Sequence, residues 1–222
     1  VHVTLHLVGR PRTRVFVRRD RFNRFVSVLV FVSREAYDTA LRRRISECVT
    51  DAFKGKLGPL LGPEARAVAF LRTAIEPSHA ISAISHDGDL VGLAGFKTAQ
   101  GGFVGGGIGP LRQAYGLPGG LWRGALLSVL DRPVEPASLL LDGIFVAAAA
   151  RGRGVGTALI GSVRQKAREF GCTSVRLDVV DSNPRARALY LRQGFVAEET
   201  SQTGLFRHVF GFRSSTRMIC ML

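Results

Sequence analysis

The feature that most constrains the fold of this chain is a glycine-rich turn between an apolar segment and a helical pattern. Residues 139–146 predict a strand, whereas the apolar residues of 156–170 recur at helical spacing. The turn between them, residues 151–157, reads RGRGVGT. The first N–H groups of a helix have no intrahelical partner and carry partial positive charge, and glycines let an anion approach them closely. The pattern therefore predicts an anion cradle, with Arg151 and Arg153 adding charge.

Two common phosphate-binding loops do not fit this turn. A dinucleotide fingerprint beginning at Gly152 would need glycine or alanine at position 157, where the chain has Thr157. A P-loop needs Gly-Lys followed by Ser or Thr, and Gly55-Lys56 is followed by Leu57. What remains is an anion cradle of another kind, or a tight strand-to-helix turn with two solvated arginines.

A second motif separates these two interpretations. The sequence NPRARALY at residues 183–190 accompanies the R-x-x-G-x-G pattern of residues 151–156. The pair closely resembles the GNAT superfamily of acyl-CoA-dependent N-acetyltransferases, strongly over residues 137–222. The resemblance implies that the turn holds the CoA pyrophosphate. It also implies that the pantetheine arm runs between two parallel strands that splay apart, here residues 139–146 and 175–180.

The resemblance also implies the fold class and the domain limits. We expect an α/β (α+β) fold of the GNAT type, with a mixed, mostly antiparallel central sheet, splayed parallel strands and helices on both faces. Residues 26–100 fit this fold by element order alone. Residues 1–24 are expected to form a basic arm or hairpin, and residues 25–222 the acetyltransferase domain.

Local patterns predict the remaining elements. Asn183 is placed to cap a helix that has Pro184 at its first position. The glycine-dense segment 101–136 lacks clean periodicity and predicts a long, substrate-facing loop with at most a short helix. The predicted strands are 26–32, 80–85, 90–98, one from 195 and 216–221; the predicted helices are 33–53, one after Pro63 that buries Ala67, Phe70, Leu71 and Ala74, 156–170 and 184–193.

The N-terminal region carries a second resemblance. Residues 13–46 are similar to a segment of large bacterial NAD-dependent glutamate dehydrogenases, but no dehydrogenase core accompanies them. A fusion, a recruited strand and helix, or coincidence all remain open. The seven arginines of residues 10–24 contribute to a net charge of +14, which favours anionic partners. No nucleic-acid motif accompanies them, so we expect a solvated or partner-docking arm rather than nucleic-acid binding.

Other classes of protein are not indicated. The longest uninterrupted apolar run, residues 26–32, is too short to span a bilayer, and the first residues do not resemble a signal peptide. The three cysteines, Cys48, Cys172 and Cys220, are widely spaced and suggest neither a disulfide framework nor a metal site. We therefore expect a cytoplasmic protein without a membrane anchor or a metal.

The GNAT resemblance assigns the site. It implies Tyr190 as general acid to the departing sulfur, a role that competes with that of a core aromatic residue. Asn183 can cap its helix, contact CoA, or do both. The backbone N–H of Val146 is the implied donor to the acyl oxygen. The implied CoA contacts are Phe145, Val146, Arg151, Gly152, Arg153, Gly154, Val155, Gly156, Thr157 and Asn183.

Asp142 is the candidate general base, because it lies four residues before Val146 on the same strand and so on the same face. A structural, hydrogen-bonded aspartate is the alternative. Glu198, Glu199 and His208 are weaker candidates, and Asp178 is expected to pair with an arginine.

The implied reaction is direct transfer of an acetyl group from acetyl-CoA to an amine on a small molecule or a protein. A non-catalytic acyl-CoA-binding or sensor domain is the alternative. The sequence leaves the acceptor and the oligomeric state open.

Overall fold

A computed structural model describes residues 14–19, 25–30, 45, 61–85, 89–105, 107–204, 207 and 211–222. Nine strands in this part of the chain form one sheet. They are Arg14–Arg19 (β1), Phe25–Val30 (β2), Ala80–Ile84 (β3), Leu90–Thr98 (β4), Gly101–Gly102 (β5), Ser138–Val146 (β6), Ser174–Val180 (β7), Val196–Gln202 (β8) and Ser214–Met221 (β9).

The strand order is β1-β2-β3-β4-β6-β7-β9-β8, with the short β5 pairing with β4. Within the described ranges, β6 and β7 pair in parallel and the other pairings are antiparallel. A helix, Val155–Glu169, connects these two parallel strands, as a parallel pair requires a crossover. This topology confirms the predicted mixed, mostly antiparallel sheet of the GNAT type.

Four helices cover the sheet in the described ranges: Glu64–Ala74 (α1), Ile108–Leu130 (α2), Val155–Glu169 (α3) and Pro184–Arg192 (α4). Helix α1 follows Pro63 and buries its four predicted residues. In α3, Leu159, Val163 and Ala167 are buried, whereas Phe170 follows the helix end and is exposed. The α3 prediction is therefore correct except for its last position.

Two apolar clusters hold these layers together. On one face, the buried stripe of α3 packs with Tyr190 of α4 against side chains of β3, β4, β6 and β7. On the other face, α1 and α2 pack over Leu93, Phe103 and Phe145. Because neighbouring residues of a strand point to opposite faces, β3, β4 and β6 contribute to both clusters. Helices therefore lie on both sides of the sheet, as predicted.

The segment 101–136 corrects a prediction. It contains helix α2 rather than a long loop, although the helix is interrupted at Gly116, where φ is 75° and ψ is 177°. Pro118 follows this break. Leu111 and Tyr115 of the first half are buried, so tertiary packing stabilises a helix that its glycine-rich sequence does not favour.

At the N-terminus, β1 and β2 form an antiparallel hairpin, and β2 continues the sheet by pairing with β3. The predicted helix 33–53 lies outside the described residues except for Ile45, which is buried. Over the ranges given above, the helices are too short or too polar for any of them to cross a membrane.

Candidate active site

A gap between β6 and β7 marks the centre of the site. The two strands pair from Ser138 and Ser174 to Leu141 and Leu177. Beyond these pairs β6 remains bonded to β4 as far as Val146, while β7 remains bonded to β9. The parallel strands therefore diverge after four residues, as the GNAT resemblance implied, and leave an opening between their carboxyl-terminal halves.

A β-bulge in β6 explains where the divergence begins. Leu141 is opposite Phe96 and Gly143 is opposite Gly95, so Asp142 is an extra residue in β6. Bulges bend and twist the strand that carries them, and here the bend coincides with the last β6–β7 pair. The bulge also reverses the alternation of side chains along the strand.

This reversal corrects one expectation about Asp142. Val146 packs with the α3 side of the sheet, as Leu141 does. Asp142 lies on the α2 side, where Lys97 and Asp131 influence its pKa. Asp142 and Val146 therefore do not share a face, because the bulge breaks the regular alternation on which that expectation rested.

The backbone of β6 presents a donor to the gap. The N–H of Ala147 donates to the carbonyl of Val91 at 2.9 Å, which makes this a hydrogen-bonded pair. In an antiparallel ladder the adjacent pair, Val146 with Gly92, is then a non-hydrogen-bonded pair. The N–H of Val146 consequently points away from β4, towards the gap. Its carbonyl accepts a hydrogen bond from Arg151 Nε at 3.1 Å.

The glycine-rich turn begins helix α3 without a side-chain cap. Gly152 and Gly154 have φ values of 74° and 81°, a left-handed conformation that favours glycine. Gly154 occupies the N-cap position, and no side chain there accepts from the first helical amides. Arg151 and Arg153 are exposed beside these donors. The turn therefore has the uncapped amides and positive charge that an anion requires.

Helix α4 brings Tyr190 to the gap. Asn183 Oδ1 accepts from the N–H of Ala186 at 3.2 Å, which confirms the predicted cap, and Pro184 follows it. Tyr190 is 6% exposed and its ring lies 5.8 Å from that of Phe195. Burial raises the pKa of Tyr190 to about 12, so the phenol is protonated at neutral pH. Among the described residues its hydroxyl has no hydrogen-bond partner.

A cleft of about 960 Å³ joins this gap to the space between α1 and α2. Tyr190, Asn183, Phe145 and Asp142 line it, so these four predicted site residues come together. Its other wall is mainly apolar and is built by residues that include Phe70, Leu71, Leu93, Phe103, Ile108 and Leu111. In the described part of the chain, no group of His, Cys, Asp and Glu side chains is arranged to hold a metal ion.

Asp142 has the electrostatic properties of a proton acceptor. Its pKa is raised to about 6, first by desolvation and then by the charge of Asp131, while Lys97 opposes the shift. Although the residue keeps contact with water through the open cleft, the protein around its carboxylate excludes enough solvent to disfavour the charge. At neutral pH this carboxylate is ionised, and its pKa lies closer to neutrality than that of a free aspartate.

Asp178 lies on β7 at the position corresponding to Asp142. The last parallel pair is Leu141 with Leu177, so these two aspartates are the next residues of the diverging strands. Both line the cleft. Arg132 Nε lies 3.9 Å from Asp178 Oδ2, too far for a hydrogen bond, and this buried oxygen has no hydrogen-bond partner among the described residues.

The segment after α2, residues 131–135, crosses the sheet below the cleft, and we call it the strap. Asp131 of the strap accepts from Lys97 Nζ at 2.7 Å. The guanidinium of Arg176, which is 1% exposed, donates to the carbonyl of Pro133 at 2.7 Å and pairs with Glu135. These contacts fix the strap across β4, β6 and β7, and with it one side of the cleft.

Comparison with known proteins identifies the family. A profile described as "Acetyltransferase (GNAT) family" matches residues 47–195, two thirds of the chain. The chain belongs to the GNAT acetyltransferase family. A crystal structure described as an acetyltransferase is 17% identical, and the match covers 93% of this chain and 98% of that protein with a TM-score of 0.54. A GCN5-related N-acetyltransferase from Kribbella flavida is 19% identical, and the match covers 84% of this chain and 95% of that protein with a TM-score of 0.53.

The N-terminal region of this GNAT protein has a separate relative. A profile described as "Glutamate dehydrogenase, ACT2 domain" matches residues 14–58. An NAD-specific glutamate dehydrogenase from Halomonas elongata is 41% identical over 54 residues, which are 24% of this chain and 3% of the dehydrogenase. The predicted resemblance is confirmed, and its extent shows a shared segment rather than a shared activity.

Other predicted residues of the GNAT site lie outside the cleft lining. The turn residues 151–157 border the gap from the α3 side, where a Cβ on Gly156 would come within 3.0 Å of Leu189. Glu198 and Glu199 lie on the exposed strand β8, and His208 is outside the described residues. Residues 101–136 were expected to face the substrate, and they do line the cleft, but as helix α2 and the strap rather than as a long loop. Asp178 was expected only as an ion-pair partner.

Proposed function

We propose that this GNAT protein transfers an acetyl group from acetyl-CoA directly to an amine. The observation that carries the proposal is the opening between β6 and β7. On one side lies the Tyr190 phenol, which has no hydrogen-bond partner in the described part of the chain, and on the other lies the backbone N–H of Val146. Membership of the family supports the same chemistry. Acetyl-CoA supplies the acyl group as a thioester.

The residues around the turn suit the anionic part of CoA. The first amides of α3 are uncapped, and Arg151 and Arg153 lie beside them. A helix N-terminus with adjacent guanidinium groups binds phosphate oxygens favourably. Because Gly152 and Gly154 carry no Cβ, phosphate oxygens can approach the backbone. Residues 151–157, together with Phe145, Val146 and Asn183, form the proposed CoA-binding set.

Three residues at the gap have separate roles in the proposed reaction. Asp142 accepts a proton from the ammonium group of the acceptor, which otherwise has a pKa near 10 and cannot attack. The nitrogen then forms a bond to the acyl carbon while the N–H of Val146 donates to the acyl oxygen. As the carbon–sulfur bond breaks, the nitrogen loses its second proton to solvent and Tyr190 donates its own proton to the sulfur. The tyrosinate then regains a proton from solvent. Acetylated amine and free CoA thiol are the products.

Release of free CoA thiol tests the proposal. Incubation with acetyl-CoA and a broad panel of amines and peptides should give acceptor-dependent thiol release, while calorimetry should detect acetyl-CoA binding. Binding without turnover on any acceptor would support the sensor alternative. If the protein shows neither acetyl-CoA binding nor turnover, both functions are contradicted.

A further inference from the structure

The acceptor side of the cleft is acidic although the chain as a whole is basic. The net charge of the sequence is +14. Among the described cleft-lining residues, however, Lys97 is the single basic side chain, and it is paired with Asp131. Asp142 and Asp178 are further carboxylates of the lining, and Glu64 also contributes to it. The local charge therefore differs in sign from that of the chain.

The two aspartates place this negative charge next to the gap between β6 and β7. Asp142 and Asp178 follow the last β6–β7 pair on the α2 side of the sheet, so they flank the point where the strands part. Arg132 Nε lies 3.9 Å from Asp178 Oδ2, so the arginine pairs with this carboxylate electrostatically but forms no hydrogen bond with it. The Asp178 side chain keeps 22% of its surface exposed, and an ammonium ion in the cleft supplies three donors to such a carboxylate.

The wall beyond the aspartates has the opposite character. Phe70, Leu71 and Leu111 are buried at the junction of α1 and α2, and Phe103 closes the space beneath them. Exposed apolar side chains, Val104 and Ile108, continue this lining to its rim. A polar acceptor would lose hydrogen bonds to water along this wall, whereas a hydrocarbon group would gain from burial.

We infer that the acceptor is an amphipathic primary amine, with its ammonium held by Asp142 and Asp178 and its apolar body against the α1–α2 wall. This inference rests on the proposed function and names its substrate class. Asp142 is the proton acceptor, and Asp178 becomes a specificity-determining residue. An α-carboxylate on the acceptor would face both aspartates and would be repelled.

Three matched amines test this inference. Hexylamine carries the proposed features, 2-aminoheptanoic acid adds a carboxylate to the same skeleton, and 2-(2-aminoethoxy)ethanol replaces two of its apolar groups by oxygen at the same length. We expect kcat/KM for hexylamine to exceed that for each of the others at least tenfold. Calorimetry with the enzyme–CoA complex should rank the three affinities in the same order.

Variants separate the two aspartates from general charge effects. Asp178→Asn should raise KM for hexylamine about tenfold, leave KM for acetyl-CoA unchanged, and reduce the discrimination against 2-aminoheptanoic acid. Asp89→Asn makes the same change at an exposed residue directly before β4, outside the cleft lining, and should leave all three values unchanged. An unchanged preference in Asp178→Asn would overturn the role of Asp178.

The outcomes also separate this inference from the proposed function. Turnover of other amines, with equal or better use of the acid or the ether, would overturn the acceptor class and leave acetyl transfer intact. Hexylamine binding without turnover would support the acceptor class and contradict the proposed reaction. If hexylamine neither binds nor reacts, the inferred acceptor class is wrong.

Discussion

Tyr190 has a buried ring and lines the cleft, and its hydroxyl has no hydrogen-bond partner among the described residues. The hydroxyl is therefore available to a group bound in the cleft, whereas the ring serves packing. The ring of Phe195 packs against that of Tyr190, but no described residue forms a hydrogen bond with the hydroxyl. Removal of the hydroxyl alone therefore separates the packing role from the chemical one.

We expect Tyr190→Phe to lower kcat at least 100-fold with little change in KM for acetyl-CoA, because a positioned acid contributes about 10²–10⁴ to the rate. Steady-state kinetics measures both values. Tyr115→Phe is the matched control, since Tyr115 is not among the cleft-lining residues and the change removes a buried hydroxyl that donates to the carbonyl of Leu61. It should cost about 1 kcal/mol of unfolding free energy and leave kcat unchanged. Equal loss of activity in both variants would contradict the assignment.

Asp142 predicts a specific pH dependence. Because its pKa is raised to about 6, the fraction of enzyme with an ionised base rises as the pH passes through 6. We therefore expect kcat/KM for the amine to increase through an apparent pKa near 6 and to level off above it while the acceptor remains an ammonium ion. Asp142→Asn should lower kcat and remove this inflection. If the inflection persists in that variant, another group is the base.

At the scale of elements, the glycine turn and helix α3 can be tested by two matched substitutions. Gly154 has a φ of 81°, so Gly154→Ala should cost about 1 kcal/mol and weaken acetyl-CoA binding several-fold. Gly161 lies within α3, where an added Cβ would meet no atom within 4 Å, so Gly161→Ala should stabilise the helix by about 0.5–1 kcal/mol and leave binding unchanged. Denaturation and calorimetry give the two quantities. Unchanged acetyl-CoA affinity in Gly154→Ala would argue against the turn as its binding element.

The elements also show where sequence patterns are sufficient. Helix α4 was predictable because Asn183 and Pro184 specify its start locally. Helix α2 was not predictable, since Gly116 and Pro118 oppose a helix and long-range packing of Leu111 stabilises it. The bulge at Asp142 was equally hidden, because it depends on the register with β4.

For the whole molecule, the sequence predicted the half of the site that local motifs build. The turn, the gap and Tyr190 belong to one continuous stretch of chain, and the structure brings Tyr190 to the cleft as expected. The acceptor side adds α1, α2 and the adjoining strap, which precede that stretch in the chain and carry no motif. Its charge is opposite in sign to the total of +14, because net charge does not show how charges are distributed over a surface.

The divergence of β6 and β7 has a consequence for the cohesion of the sheet. Four residue pairs join the β1–β6 portion to the β7–β9 portion through this ladder, and the N–H of Val146 is left without a strand partner. A bound molecule that spans the opening and accepts hydrogen bonds from both strand edges would connect the two portions where they do not pair directly. Amide hydrogen exchange at Val146 should therefore be fast in the free protein and slow in the complex, with the protection spreading along both strand edges.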